Sequence, residues 1–322
     1  MEKNPIIEIR QVAKRFGEIL AVDGVDLSVG KGEIFGLIGH NGAGKSTLFK
    51  MMLGLESPTS GEILVDGQRP RGEAFRQVRR TLGYLPENVV FYDNLTGLET
   101  LWFFADLKRA DRTTCPDLLA KVGLGNAARR LVRGYSKGMR QRLGFAQALL
   151  GHPKILFLDE PTNGLDPEGI GEFYRILAEL RAHGVTVILT SHILAEIQER
   201  VERVAIMKTG KICAMGTLQS LREQMDLPLR FRVSRLDDDA DALRRLLQQM
   251  GKTSVYDGGR GTLVVECSRM QKMAVLRVLA SATREVADIQ IEEPTLEDVF
   301  LGYGNERAGT GEPIPELSEE WR

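Results

Sequence analysis

Residues 39–47 read GHNGAGKST, and this stretch restricts the fold more than any other part of the chain. Gly39, Gly44, Lys45 and Ser46 fall on the spacing G-x-x-x-x-G-K-[ST], with His40, Asn41, Gly42 and Ala43 between and Thr47 after. Successive backbone N–H groups can wrap an anion only where the chain takes conformations and close approaches that glycine permits. The flanks agree. Glu33 to Ile38 (EIFGLI) reads as a buried strand entering the loop, and Thr47 to Leu53 as a helix leaving it, closed by Gly54. Lys45 would reach the outer phosphates, the Ser46 hydroxyl would ligate Mg²⁺, and the helix would point its positive end at the anion. Residues 39–47 therefore make a nucleotide site on an α/β framework.

Length and charge bound the rest. A chain of 322 residues holds one large or two ordinary domains. With 43 basic and 44 acidic residues the net charge is −1, so no overall basic field recruits nucleic acid. The basic run from Arg69 to Arg80 reads as a solvated helix face. Cys115, Cys213 and Cys267 are isolated and odd in number, which points to a reducing compartment, and no cysteine–histidine spacing resembles a metal site. The N-terminal residues lack an apolar signal core, and no run of 18 apolar residues occurs. A soluble, cytoplasmic protein is expected, with any membrane role supplied by a partner.

In chain order, Ile6 to Gln11 and Leu20 to Val29 alternate like strands. Phe16, in the loop between them, would either stack on an adenine ring or sit in the core. Glu62 to Gly67 reads as a strand ending in a turn, and Leu82 to Asn88 as a short strand broken by Pro86. Thr96 with Glu99 forms a capping box for a helix from Gly97 to Leu107. The apolar segment Val89 to Tyr92 either packs into a helical subdomain or forms a docking surface. Ser136 caps a helix starting near Lys137, and Gly138 leaves its backbone accessible: an ordinary capped helix, or a second phosphate site. Ile155 to Leu158 is an apolar strand that delivers Asp159 and Glu160 at its carboxyl end, where ligands bind in open α/β sheets. Asp159 is positioned to share Mg²⁺ with Ser46, and Glu160 to activate water. A loop through Asp166 precedes a helix from Glu168 to His183. The next strand, Val185 to Leu189, ends at Thr190-Ser191-His192, where the histidine is structural or reaches the γ-phosphate. Val204 to Met207 and Lys211 to Ala214 read as a hairpin.

Together GHNGAGKST, YSKGMRQ, ILFLDE, Gly164-Leu165-Asp166 and Ser191-His192 resemble, in order, the Walker A, signature, Walker B, D-loop and switch motifs of ABC-transporter ATPases. The resemblance covers residues 1 to about 220 and implies that Phe16 stacks on adenine, Gly39 to Thr47 bind the phosphates of ATP, and Ser46 and Asp159 hold Mg²⁺. It further implies that Glu160 is the catalytic base, that His192 holds γ-phosphate and water, that Ser136 and Gly138 contact the γ-phosphate of ATP bound to the opposing subunit, and that Asp166 of the D-loop is a further nucleotide-binding residue. The implied assembly is a homodimer sandwiching two ATP, attached to an integral membrane permease at the inner face of the membrane. Two departures stand out. Glu87 occupies the Q-loop position, near Mg²⁺ and γ-phosphate, where the family usually has glutamine, and it counts among both the catalytic and the Mg²⁺-binding candidates. Lys137 and Met139 replace glycine and glutamine in the signature.

The expected organisation is an ABC nucleotide-binding domain over 1–222, with a helical subdomain at about 88–152, then a second domain over 228–301 and a flexible tail over 302–322. The β-α-β-β-α-β order of the second domain suggests a ferredoxin-like fold with a regulatory or dimer-stabilising role. GYLPENVVFYDNLTGLET, with the Walker A and signature segments, resembles NosF-type ATPases. That implies a NosY-type permease, a periplasmic NosD-type partner, and maturation of the copper–sulfur centre of nitrous oxide reductase. The alternative is the ATPase of a drug or lipid exporter. From other classes come a soluble ABC ATPase acting on nucleic acid or ribosomes, disfavoured by a single P-loop and the lack of a basic stripe, and a nucleotide-binding regulator without turnover, disfavoured by Glu160 and His192.

Overall fold

Three strands, Ile34–Ile38, Ile155–Leu158 and Thr186–Ser191, are buried at every position. Such strands belong in the middle of a parallel sheet covered on both faces. The computed structural model describes residues 5–198, 200–225, 227–235, 241–251, 253–259, 261–281 and 286–304. The chain divides into two compact units, Met1–Leu218 and Gln219–Arg322.

In the first unit, β1 (Pro5–Phe16) and β2 (Ile19–Gly30) pair antiparallel, and their buried valines, isoleucines and leucines alternate with more exposed residues. β3 (Ile34–Ile38) leads into α1 (Lys45–Met52), and β4 (Ser60–Val65) pairs with β1 to complete a small sheet, β2-β1-β4. Next come α2 (Gly72–Arg80) and β5 (Leu82–Leu85), then a helical insertion with α3 (Gly97–Lys108), α4 (Cys115–Lys121) and α5 (Lys137–Leu149). The chain returns through β6 (Ile155–Leu158), α6 (Pro167–Ala182), β7 (Thr186–Ser191), the short α7 (Leu194–Ile197) and the hairpin β8 (Arg203–Lys208) and β9 (Lys211–Gly216). The six-stranded sheet runs β5-β6-β7-β3-β8-β9, parallel except for β9.

Leu48, Phe49, Met51 and Met52 of α1 are fully buried, and the Phe49 ring meets Phe157 of β6 edge-on at 5.5 Å. Each burial is worth about 1.5–3 kcal/mol, so the helix that carries Lys45 and Ser46 in its first turn is firmly held. In α2 only Phe75 and Val78 are buried, which leaves its arginines on a solvated face.

The helical insertion starts at a capping box. Glu99 N–H donates to Thr96 Oγ1 (3.2 Å), and Thr96 N–H donates to Glu99 Oε2 (2.8 Å). The Thr96 N–H and hydroxyl, both donating to Glu99 Oε2, hold the Glu99 carboxyl below its ordinary range. Stability from the box is thus present above the usual glutamate pKa and lost as pH falls through the depressed value. Thr96→Ala is expected to lower stability by about 1 kcal/mol, read from the urea midpoint at constant m. The two readings of Val89 to Tyr92 divide by residue. Phe91 is buried against the Phe104 ring at 6.0 Å, whereas Val90 and Tyr92 are 85% and 61% exposed.

After α8 (Leu218–Gln224), the second unit contains β10 (Leu229–Arg235), α9 (Asp241–Gln249), β11 (Thr253–Gly259), β12 (Thr262–Cys267), α10 (Lys272–Ser281), β13 (Val286–Glu292) and α11 (Leu296–Gly304). Its antiparallel sheet runs β11-β12-β10-β13. Leu229, Phe231 and Val233 alternate inward and meet Leu243, Leu247, Val275 and Leu279 of the two helices. The last helix extends to Gly304, past the expected start of the tail at Gly302. Residues 305–322 of that tail, Arg260 of the expected hairpin turn and the start of the helix expected from Asp237 lie outside the described residues.

Candidate nucleotide-binding and hydrolysis site

The glycine-rich loop hangs from the end of β3, next to the centre of the sheet. Gly44 precedes α1 at φ +104°, and a Cβ there would lie 2.5 Å from the Ala21 carbonyl oxygen, so no other residue fits. Lys45 is 6% exposed, and its Nζ donates to the carbonyls of Gly39 (2.6 Å) and His40 (3.1 Å). Burial lowers its pKa, and the nearby carboxylates of Glu160, Asp159 and Glu87 pull it the other way. The ammonium is thus aimed at the loop's own carbonyls while it feels three acids.

Those acids approach from two strand ends. β5 leads to Glu87 through Pro86, and β6 delivers Asp159 and Glu160. Asp159 and Glu160 are both nearly buried. Glu160 takes a left-handed φ of +48°, uncommon for a residue with a side chain. His192, following β7, donates its backbone N–H to Glu160 Oε2 at 3.3 Å and brings Nδ1 within 2.6 Å of the same oxygen. The other oxygen, Oε1, is buried with no hydrogen-bond partner among the described residues. A buried acceptor left free is uncommon in a folded protein and marks a position meant for a ligand or water. Burial, helped by Asp159 and Glu87, pushes the Tyr84 hydroxyl up to about 12.

Ala21, Asn41, Gly42, Gly44, Lys45, Ser46, Thr47, Glu87, Asp159 and Glu160 enclose a cavity of about 170 Å³. Its metal-capable donors are hydroxyl and carboxylate oxygens, a hard set that suits Mg²⁺ holding phosphates and waters as its other ligands.

Other expected site residues lie apart from this cavity. Ser136 caps α5 by accepting from Met139 N–H at 3.2 Å. Asp166 caps α6 by accepting from Gly169 N–H at 2.8 Å. A Cβ on Gly138 would stand 2.8 Å from the Gly164 carbonyl oxygen, so the first turn of α5 packs closely against the loop through Gly164. Ser136, Gly138 and Asp166 line a separate cavity of about 460 Å³. Lys137 is exposed, its aliphatic stem close to Gly164. Phe16 is 44% exposed at the β1 end with Lys14 Nζ 4.6 Å from its ring, so it is not a core phenylalanine.

Three contributors escape a reading of the sequence. Ala21 lines the cavity around Lys45 and Ser46 from β2. Gln141 of α5 donates to the Pro161 carbonyl at 3.0 Å, joining the signature helix to the loop after Glu160. Thr190 touches both acids at the end of β6. Only Thr190 leaves a signal, as a hydroxyl at the end of the apolar run Val187-Ile188-Leu189.

Residues 22–163 match the family model described as ABC transporter. The daunorubicin resistance ATP-binding protein DrrA3 of Streptomyces coeruleorubidus is 35% identical over 92% of this chain and 94% of its own length. The bacitracin transport ATP-binding protein BcrA of Bacillus licheniformis is 34% identical over 92% and 96%. A dimeric ATP-binding cassette solved in a post-hydrolysis state with ADP and phosphate aligns with TM-score 0.61 at 26% identity, over 66% of this chain and 98% of that one. This chain belongs to the ABC transporter ATP-binding family, whose members are ATP-hydrolysing transporter subunits.

Proposed function

We propose that this chain is the ATPase of an exporter, working as a head-to-tail homodimer that sandwiches two ATP and drives an integral membrane permease. The observation that carries this reading is the pair of separate half-sites. One cavity gathers Lys45, Ser46, Asp159 and Glu160, and another gathers Ser136, Gly138 and Asp166. Each lacks what the other has, and a second copy facing the first would supply it.

In this reading Gly39 to Thr47 hold the phosphates, and Lys45 turns from the loop carbonyls to the outer phosphates. Ser46 and Asp159 would hold Mg²⁺, which supplies charge neutralisation on the phosphate oxygens when bound. Glu87 faces the same cavity as a further carboxylate and a candidate ligand. Glu160 takes the proton of the attacking water on its free Oε1, while His192 holds Oε2 and reaches the γ-phosphate when the dimer closes. Phe16 stacks on adenine.

The relatives' names favour export of a drug or peptide antibiotic, since DrrA3 and BcrA match over both units. The NosF-type role, with its NosY-type permease, NosD-type partner and copper–sulfur cargo, rests on the resemblance of residues 83–100 and the neighbouring motifs alone, so the exporter stands first. We read the second unit as ferredoxin-like, with a regulatory or dimer-stabilising role; its antiparallel order β11-β12-β10-β13 supports the fold. Among the described residues no helix is long and apolar enough to cross a membrane, so the path for cargo belongs to the permease.

The permease would dock over a groove of about 590 Å³ lined by Arg76, Arg79 and Arg80 of α2 and by Val90 and Leu107 beside it. Val90 and Tyr92 present the apolar surface, and buried Phe91 supports it from beneath. The double variant Val90→Asp, Tyr92→Asp is expected to weaken association with the permease about 30-fold, equivalent to about 2 kcal/mol, with basal hydrolysis retained. Phe91→Asp is expected to unfold the insertion instead. Pull-down against ATPase rate separates the two outcomes.

The function is tested by tagging the chain in its host, solubilising membranes gently and identifying the co-purifying proteins. Recovery of a multi-spanning permease whose ATPase is stimulated by drugs or peptide antibiotics supports the exporter. A permease with a periplasmic partner and no drug stimulation supports the NosF-type role. Ribosomes or nucleic acid in its place would overturn both.

A further inference from the structure

Thr190 is completely buried at the end of β7, in a parallel strand whose other positions are covered on both faces. A hydroxyl there is costly unless it is bonded, and both of its bonds reach the site. Its Oγ1–H donates to Asp159 Oδ1 at 2.6 Å, and the same oxygen accepts the Glu160 backbone N–H at 2.9 Å. Sheet register makes this possible: Leu158 stands opposite Leu189, so the residues that follow emerge side by side. A β-branched side chain has few rotamers open to it in a packed strand, so the hydroxyl direction is set by the backbone. Neighbouring Ser191 does something different, since its Oγ accepts from Ile193 N–H at 3.0 Å in a local turn.

We propose that Thr190 is a positioning residue for hydrolysis: one hydroxyl orients the Asp159 carboxylate and pins the backbone of Glu160 in its left-handed conformation. The inference rests on the reading of Asp159 as a Mg²⁺ ligand and Glu160 as the base. With one Asp159 oxygen engaged by the hydroxyl, the carboxylate presents a fixed face to the cavity beside Ser46. With the Glu160 N–H tied down, the strained φ of +48° is maintained. Thr190 touches neither nucleotide nor water in this scheme and acts through the two acids.

The test uses the full-length chain with Thr190→Val, Thr190→Ala, Thr190→Ser and Asp159→Asn. Affinity for Mn²⁺ in the complex with a non-hydrolysable ATP analogue is read by electron paramagnetic resonance, beside kcat and KM for ATP. Outer-sphere partners of metal ligands typically matter by 10–100-fold, so Thr190→Val and Thr190→Ala are expected to weaken Mn²⁺ binding and lower kcat by about that factor. KM for ATP stays unchanged, and Thr190→Ser, which keeps the hydroxyl, returns both readouts to near wild type. If valine prevents folding, the alanine–serine comparison carries the same test. Wild-type Mn²⁺ affinity in Thr190→Val and Thr190→Ala, with affinity lost in Asp159→Asn, overturns the role of Thr190 and spares the site. A serine variant as impaired as alanine assigns the effect to packing of the methyl group and also overturns it. Wild-type Mn²⁺ affinity in Asp159→Asn overturns the reading of the site and the proposal with it.

Discussion

Glu160→Gln is expected to lower kcat for ATP hydrolysis by about 10²–10⁴-fold, the usual contribution of a positioned general base. The amide matches the carboxylate in shape, so the buried slot beside His192 stays filled. What disappears is the capacity to accept a proton from water on the oxygen that now has no partner. ATP binding should survive and strengthen the dimer, because a negative charge facing the phosphates is removed. The carboxylate also counters the burial that lowers the Lys45 pKa, so the variant's Lys45 should have a pKa lower still until phosphate arrives. Single-turnover hydrolysis and size-exclusion chromatography with ATP measure the two halves of this expectation. Turnover at the wild-type rate would remove Glu160 from the role of base.

Ser136→Arg should be nearly as damaging by a different route. The substitution removes the cap that accepts from Met139 N–H, a loss of about 1 kcal/mol, and projects a long cation into the second cavity. Stability should fall only slightly. Hydrolysis should fall by about 10²-fold or more, the scale associated with a small misplacement of reacting groups. The distinguishing measurement is ATP affinity of the isolated chain, expected to match wild type because Lys45 and its loop lie in the other cavity. Parallel loss of affinity and turnover would show that Ser136 serves its own chain's nucleotide, against a cross-subunit role. Ser136→Thr, which can still cap, is the control for helix stability.

Much of this was readable from residues alone where the physics is local. The loop at Gly39 to Thr47, the apolar strand before Asp159 and the Thr96–Glu99 box each depend on a few consecutive residues and their turn or cap chemistry. Alternation in β10 exposed the second unit's inner face in the same way. Contacts between distant strands were harder. Thr190 and Asp159 are 31 positions apart and meet only through the register of β6 and β7, which periodicity does not supply. The direction of Phe91 was equally hidden. In an irregular segment no period separates inside from outside, and the ring of Phe104 decides it. Strand ends were missed by a few residues for a related reason: β1 continues to Phe16 because β2 is there to pair with it.

Chain connectivity also divides the labour within the first unit. The helical insertion leaves from β5 and returns to β6, neighbours at one edge of the sheet, whereas the phosphate loop hangs from β3, three places inward from that edge. Both tethers of the insertion are therefore on the same side, like the two leaves of a hinge fixed to one doorpost. A push on the exposed flank of Val90 and Tyr92 would be carried to β5 and β6, whose ends lead to Glu87, Asp159 and Glu160. One strand, β7, stands between those tethers and the strand that carries the glycine-rich loop. Movement of a partner would therefore reach the acids at these strand ends before it reached the loop on β3.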